Sequence, residues 1–207
     1  MGLELEFKLA VSSPALLEQI LFDKQIAEVR QENYRLIHMA TIYYDTPDHR
    51  LHTRQWTLRL RQENARLVAT LKTPAAGKGK ARGEWECEAS TIQAAIPMLL
   101  EQGAPAELPD ILDGEPLIPV CAAQFTRRAA DVAFADGTVC EFCGDIGMLV
   151  GGANEEELCE VEIELKSGDA DTASAFAEEL MERFDLQEEH RSKFARAAAL
   201  ARREARG

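Results

Sequence analysis

The stretch Leu3–Leu9 reads Leu-Glu-Leu-Glu-Phe-Lys-Leu and alternates strictly between apolar and charged side chains. A period of two residues places the two sets on opposite faces of a β-strand. The charged face carries two carboxylates and then an ammonium, whereas a strand face in bulk water usually mixes Thr, Ser, Gln and Lys. We therefore expect this charged face to line an interior site.

The same alternation returns in two other parts of the chain. Residues Cys159–Lys166 repeat it with three carboxylates before a lysine, and Leu58–Arg61 repeats it with two arginines. Blocks of one charge sign on several strands are explained by a closed sheet whose charged faces meet inside, around a ligand. With helices between its hairpins, such a chain is α+β.

Composition narrows the possible ligands and compartments. The 207 residues carry a formal charge of -13, which argues against non-specific binding to nucleic acid or to anionic membranes. An anionic small molecule remains compatible, because basic residues can concentrate in one cavity. The first residues lack a signal-peptide pattern, and no apolar run approaches the roughly 18 residues of a membrane span. Together with five scattered cysteines, these features predict a reduced, cytoplasmic protein.

Cys140 and Cys143 have a spacing found in zinc and redox sites, but a strand would point their thiols to opposite faces. We therefore expect no zinc there.

The coarse secondary structure is set by patterning and by turn residues. Asp136-Gly137 indicates a hairpin turn, whereas Gly144–Asn154, which contains Asp145, is interpreted as a loop. Glu84, Glu86 and Glu88 are interpreted as a solvated strand face. The strand-rich segments on both sides of the Pro-rich residues 104–119 look alike, so we predict a single domain over residues 1–207.

The charged strands indicate a polyphosphate ligand. Clustered carboxylates are costly to bury without counter-ions, and Mg²⁺ or Mn²⁺ prefers such oxygen ligands. Arginine matches phosphate oxygens with two donors, and lysine supplies a compact charge. The acidic candidates are Glu4, Glu6, Glu160, Glu162 and Glu164, and the basic candidates are Lys8, Arg59, Arg61, Lys72 and Arg127.

An ordered series of motifs then carries a family resemblance. It consists of Glu4-x-Glu6-x-Lys8, Tyr43-Tyr44-Asp45-Thr46-Pro47, Leu58-Arg59-Leu60-Arg61, Thr70-Leu71-Lys72, Arg82-x-Glu84-x-Glu86, Phe125-Thr126-Arg127, Asp145, Glu160-x-Glu162-x-Glu164 and Ser192-Lys193-Phe194. The series resembles the CYTH domain, or triphosphate tunnel metalloenzyme, superfamily, and is most similar to its bacterial inorganic triphosphatases. The resemblance implies a closed, eight-stranded antiparallel β-barrel that forms a tunnel, with the helices packed outside.

The resemblance also implies an activity and roles for residues. It implies that metal-activated water hydrolyses tripolyphosphate to pyrophosphate and phosphate. By this resemblance Lys8, Arg59, Arg61, Lys72, Arg127 and Lys193 bind the phosphates. Mg²⁺ or Mn²⁺ is bound by Glu4, Glu6, Glu162 and Glu164, with Glu160 and Asp145 nearby. The groups expected to act in catalysis are Glu4, Glu6, Lys8 and Lys72. Strand parity allows only one of Arg127 and Arg128 to face inward.

Three alternative functions remain open from the sequence. A class IV adenylyl cyclase would need adenine recognition, and a thiamine triphosphatase would need an aromatic clamp, for which Trp56 and Trp85 are the tryptophans available. A non-catalytic polyphosphate-binding module would need only the basic side chains and not the acidic ones. In each case the partner is a small triphosphate-containing molecule.

Overall fold

The structure is a computed structural model and describes residues 5–74 and 83–204, so Glu4 and Arg82 lie outside the described residues. The strands are β1 Glu6–Ala10, β2 Arg35–Asp45, β3 Thr57–Glu63, β4 Arg66–Thr73, β5 Gly83–Glu88, β6 Ile118–Ala133, β7 Val139–Gly151, β8 Asn154–Ser167 and β9 Gln187–Glu188. The helices are α1 Pro14–Leu21, α2 Lys24–Val29, α3 Arg50–Thr53, α4 Ile92–Glu101, α5 Leu108–Leu112, α6 Ala170–Phe184 and α7 Lys193–Glu204. The predicted α+β class is confirmed.

One antiparallel sheet contains all the strands, in the order β5-β4-β3-β2-β6-β7-β8-β1-β9. Within the described ranges its two ends are not hydrogen-bonded to each other, so the predicted closed eight-stranded barrel is not confirmed. The free edge of β1 is instead paired with the short β9, through Leu9 and Glu188. Residues of β1 and of β5 nevertheless line one cavity, so the sheet is rolled into a trough.

Most of the helices cover the convex face of this trough, as the sequence predicted. The apolar residues of β1 and β8, such as Leu9 and Ile163, pack with Leu17 of α1 and Phe176 of α6. A second cluster places α4 and α5 against the apolar face of β3 and β4. Each large side chain buried in this way stabilises the fold by about 1.5–3 kcal/mol. None of the helices in the described part of the chain is long and apolar enough to cross a membrane.

Helix α7 is the exception, because it lies on the concave face. Its Ala197 and Leu200 pack against Phe125 of β6 and Leu149 of β7, which share a strand face with the charged residues. A Cβ atom at Gly151 would lie 2.2 Å from the carbonyl oxygen of Ala197 and 2.4 Å from the amide nitrogen of Ala201. The concave face is thus apolar at one end, where a helix rich in alanine covers it, and charged at the other.

The segment interpreted as a loop over Gly144–Asn154 is mostly strand, and that prediction was wrong. Strand β7 continues to Gly151, and the turn into β8 falls at Gly152, with φ +60°. The glycines that suggested a loop serve close packing: a Cβ atom at Gly147 would lie 2.1 Å from the carbonyl oxygen of Gln124 on β6. Asp145 consequently lies in the middle of a strand, with its backbone direction fixed by both neighbouring strands.

Candidate active site

The charged end of the concave face encloses a cavity of about 470 Å³. This volume is within the usual range of about 300–1,000 Å³ for small-molecule sites. Among the described residues, seven carboxylates and seven cations line it. The carboxylates are Glu6, Glu63, Glu84, Glu86, Glu141, Glu162 and Glu164. The cations are Lys8, Arg59, Arg61, Lys72, Arg127, Lys166 and Lys193. The formal side-chain charges of the cavity therefore cancel.

An acidic wall arises from the register of β1, β7 and β8. Glu164 is the cross-strand partner of both Glu6 and Glu141, and Glu162 is the partner of Lys8. Directly opposed residues of antiparallel strands share one face of the sheet, so these charges lie side by side. The alternation predicted from sequence is thereby converted into neighbouring carboxylates on three strands.

Glu6 shows what this crowding does to a carboxylate. Burial raises its pKa, and the nearby charge of Glu162 raises it further, against the opposing effect of Lys8 at 2.9 Å. The ion pair with Lys8 therefore does not offset burial and the repulsion from Glu162. Crowded carboxylate oxygens of this kind could hold a hard divalent cation.

A basic wall faces the acidic one, on β3, β4 and β6. Among the buried side-chain nitrogen and oxygen atoms described, Nε of Arg59 is the one without a hydrogen-bond partner. Arg61 donates from Nε to Oγ1 of Thr41 at 2.9 Å. Burial lowers the pKa of Arg61 to about 10, and repulsion from Arg59 adds to this shift. A bound anion would satisfy the donor of Arg59 and stabilise the charge of Arg61.

Strand parity separates Arg127 from Arg128, as the sequence required. Arg127 lines the cavity, and Arg128 lies on the convex side, where it pairs with Glu18 of α1. Nε and one terminal nitrogen of Arg127 donate to the two oxygens of Asp145 at 2.8 and 2.7 Å. Burial alone would lower the pKa of Arg127, but Glu162 and Asp145 raise it well above its ordinary value.

Three predicted metal ligands form a compact buried group. One ligand oxygen each from Asp145, Glu160 and Glu162 lies within 4.8 Å of the others. The ammonium of Lys193 contacts them at 2.7, 2.6 and 2.7 Å, respectively. Burial raises the pKa of Glu160. Burial also acts to raise the pKa of Glu162, but the positive charges of Lys193 and Arg127 outweigh it and hold that pKa well below its ordinary value.

The predicted site residues therefore fall into two sets. The cavity brings together Glu6, Lys8, Arg59, Arg61, Lys72, Arg127, Glu162, Glu164 and Lys193. Asp145 and Glu160 lie behind the cavity surface, in contact with Lys193. Glu4 is outside the described residues.

Sequence reasoning missed several residues of the site. Glu84 and Glu86, interpreted as a solvated face, line the cavity, and Glu84 pairs with Lys72 at 2.9 Å. Their alternation with Gly83, Trp85 and Cys87 was the available signal, because it matches that of the other charged strands. Glu141 was not predicted, because its strand lacks the alternation of apolar and charged residues seen in the other strands.

The aromatic and thiol side chains are divided between the two faces. Trp56 and Trp85 belong to the convex cluster around α4, so neither lines the cavity. Tyr43 and Phe194 do line it and contact each other, with ring centroids 5.1 Å apart. The two thiols of the Cys140–Cys143 pair point to opposite faces, as predicted: Cys140 is in the convex core and Cys143 lines the cavity.

A rolled antiparallel sheet that encloses a cavity with acidic and basic walls defines the class of fold, and sequence comparison gives the family. The profile of the CYTH domain matches residues 2–198, so the chain belongs to the CYTH domain family. An inorganic triphosphatase from Haemophilus influenzae is 29% identical over 179 residues, which are 86% of this chain and 49% of the relative. The chain thus spans about half the length of this curated relative.

Solved structures show the same fold at low sequence identity. A candidate adenylyl cyclase from Hippeastrum, described with a dominant triphosphatase activity, has a TM-score of 0.58 and 18% identity, covering 95% of this chain and 96% of that one. A candidate adenylate cyclase from Bacillus halodurans has a TM-score of 0.54 and 19% identity, covering 92% and 94% of the two chains. A Pyrococcus horikoshii protein has a TM-score of 0.53 and 20% identity, covering 93% and 96%.

Proposed function

We propose that this protein is a metal-dependent inorganic triphosphatase that hydrolyses tripolyphosphate to pyrophosphate and phosphate. The proposal is supported by membership of the CYTH family and by the relative named an inorganic triphosphatase. The observation that carries it is the pair of opposed walls, acidic and basic, on one cavity.

Charge balance is the reason for including a metal. A triphosphate brings several negative charges into a cavity in which the charges of the described side chains already cancel. Burying this excess without compensation is unfavourable by several kcal/mol. Divalent cations that enter with the substrate would remove the excess, and they would also relieve the repulsion between Glu6 and Glu162. The chemistry therefore favours Mg²⁺ or Mn²⁺ as a required cofactor.

The basic side chains would bind and orient the phosphate chain. Arg59 and Arg61 supply guanidinium donors from β3, and Arg127 supplies them from β6, on the other side of β2. Lys72 and Lys8 add ammonium groups from strands near the two ends of the sheet. Fixed positive charges stabilise the charge that develops on the phosphoryl oxygens, and they need no rearrangement during the reaction.

The acidic side chains would hold the metal and orient the attacking water. Glu4, Glu6, Glu162 and Glu164 are the proposed ligands, with Asp145 and Glu160 behind them. A divalent cation, when bound, supplies Lewis acidity and lowers the pKa of water. Glu6 and Lys8 form an ion pair of 2.9 Å, so Lys8 would hold the carboxylate of Glu6 in place on the acidic wall.

Inorganic triphosphate is preferred over larger substrates because of where the aromatic residues lie. Trp56 and Trp85, the tryptophans available for a thiamine clamp, pack on the convex face. Tyr43 and Phe194 are in mutual contact within the cavity wall. The cavity surface is dominated by charge, which matches a ligand composed only of phosphates.

A substrate panel tests the proposal. Purified protein is incubated with tripolyphosphate, ATP or thiamine triphosphate, each with Mg²⁺, Mn²⁺ or EDTA, and released phosphate and cyclic AMP are measured. The proposal expects phosphate release from tripolyphosphate to be fastest, and EDTA to abolish it. Cyclic AMP from ATP would instead identify a cyclase, and metal-dependent binding without turnover would identify a non-catalytic binding module.

A further inference from the structure

The ammonium of Lys193 occupies the position that a metal ion would take among Asp145, Glu160 and Glu162. Its nitrogen lies 2.6–2.7 Å from one oxygen of each carboxylate. The ammonium donates hydrogen bonds to Glu160 and Glu162, and it forms an ion pair with Asp145. The side chain of Lys193 is 7% exposed, and solvent therefore does not compete for them.

The remaining oxygens of the triad are also engaged. Arg127 binds both oxygens of Asp145 and the second oxygen of Glu162. Arg196 of α7 donates to the second oxygen of Glu160 at 2.7 Å. All six carboxylate oxygens thus accept a hydrogen bond from a cationic side chain. A metal ion that bridged the three oxygens in contact with Lys193 would need the position that its ammonium occupies.

The triad is buried among cations. Lys193, Arg127 and Arg196 contact its carboxylates, Arg196 also pairs with Glu156, and both Asp145 and Glu160 are at most 1% exposed. A divalent ion placed beside Lys193 would bring two more positive charges against a buried ammonium, which is unfavourable. Metal entry would therefore require Lys193 to leave, but its backbone is held in α7, which is packed against β6 and β7 at Leu200 and Gly151.

We infer that Lys193 is an internal counter-ion that excludes divalent metal from the Asp145–Glu160–Glu162 triad and positions Glu162 at the cavity wall. Metal binding is thereby confined to the carboxylates nearer the cavity, such as Glu6 and Glu164. Lys193 is accordingly a positioning residue and not a phosphate ligand. The inference refines the ligand set of the proposed function, but it concerns metal binding without substrate.

Metal stoichiometry in the absence of any phosphate tests the inference. Mn²⁺ binding is measured by electron paramagnetic resonance for the wild type, Asp145→Asn, Lys193→Met, Lys193→Arg and the double variant Lys193→Met/Asp145→Asn. We expect Lys193→Met to bind one more Mn²⁺ per chain than the wild type. The added ion should be lost in the double variant, and Lys193→Arg should match the wild type because it keeps the positive charge.

Two outcomes would overturn the inference. One is an equal Mn²⁺ number in the wild type and in a folded Lys193→Met protein. The other is a lower Mn²⁺ number in Asp145→Asn than in the wild type, which would show that the native triad holds metal. The single Asp145→Asn variant decides the question even where circular dichroism shows that Lys193→Met does not fold, since an unchanged number supports the inference. Failure of the wild type to hydrolyse any triphosphate would refute the proposed function and leave this result standing.

Discussion

Arg127 and Asp145 are cross-strand partners on β6 and β7, joined by two hydrogen bonds of 2.8 and 2.7 Å. The side chain of Asp145 has no exposed surface, whereas that of Arg127 is 14% exposed and reaches the cavity. The buried carboxylate thus fixes the direction in which the guanidinium presents its remaining donors. A residue hidden from the ligand in this way orients one that faces it.

Asp145→Asn should weaken substrate binding through Arg127. An amide keeps the shape but removes the charge and one acceptor, so the guanidinium loses its fixed orientation. We expect the KM for tripolyphosphate to rise about 10-fold, the lower end of the effect of losing a supporting partner. Steady-state phosphate release measures this. The control is Asp131→Asn: Asp131 lies on the same β6 and forms an exposed ion pair with Arg35 of β2, so this variant should keep the wild-type KM. An unchanged KM in Asp145→Asn would contradict the positioning role.

Arg59→Ala should reduce tripolyphosphatase activity at least about 100-fold, as expected for the loss of one preorganised charge stabiliser. Its buried Nε has no protein partner, so its removal leaves no protein acceptor unpaired at that atom. The circular dichroism spectrum should therefore be unchanged. The control is Arg66→Ala on the adjacent β4, where an exposed arginine pairs with Glu88. Wild-type turnover in Arg59→Ala would show that Arg59 does not take part in catalysis.

Glu162→Gln should also lower activity at least about 100-fold, because it removes a charge shared by the acidic wall and the Lys193 network. The matched control is Glu157→Gln, which lies on the same β8 but is exposed on the opposite strand face. Glu4→Gln is predicted from sequence to behave like Glu162→Gln. Equal rates in Glu162→Gln and Glu157→Gln would show that the position of Glu162 at the cavity does not matter for activity.

Gly151→Val should displace α7 from the concave face. Backbone atoms of Ala197 and Ala201 already lie at 2.2 and 2.4 Å from the position of an added Cβ, so the helix must move. Forcing extra atoms into a packed core typically destabilises a protein by about 1–3 kcal/mol. Urea denaturation measures the loss. Activity should fall as well, because Lys193 and Phe194 at the start of α7 line the cavity. Unchanged stability would argue against the close approach of β7 and α7.

Glu189→Gln should destabilise the protein in a pH-dependent manner. Hydrogen bonding to Arg191 lowers the pKa of Glu189 from 4.5 to about 2. A carboxylate with a depressed pKa stabilises the folded state above its unfolded pKa, and the stabilisation is lost as pH falls through the folded pKa. We expect a difference of about 1 kcal/mol at pH 7, since solvent screens the pair. The difference should narrow between pH 5 and pH 2. Urea denaturation across this range checks it, and a constant difference would contradict the ion pair.

The charged strands show which features of the site could be predicted from the sequence pattern. Alternation alone placed Glu6, Arg59 and Glu162 on one face of their strands, and the structure brings all three to one cavity. The parity argument also separated Arg127 from Arg128 correctly. These predictions succeeded because side-chain direction in a strand is a local property with a period of two.

Other features depended on contacts between distant segments. The glycines of β7 resemble loop residues in the sequence. In the structure, Gly147 allows β6 to lie close to β7, and Gly151 allows α7 to do so, and neither contact is visible in a local pattern. Helix α7 was expected outside, and only the apolar patch around Phe125 and Leu149 explains its position on the concave face. The pairing of β9 with β1 likewise depends on residues that are far apart in the chain.

The sequence by itself determined the α+β class, the strands with alternating charge and which of their charged residues share a face, because strand periodicity is local. The tertiary structure alone decided that Asp145 and Glu160 are neutralised by Lys193 and Arg196 from a helix about 30 to 50 residues further along the chain. Buried charges are compensated by whichever opposite charges the fold brings within hydrogen-bonding distance, and that distance is set only when the whole chain has packed.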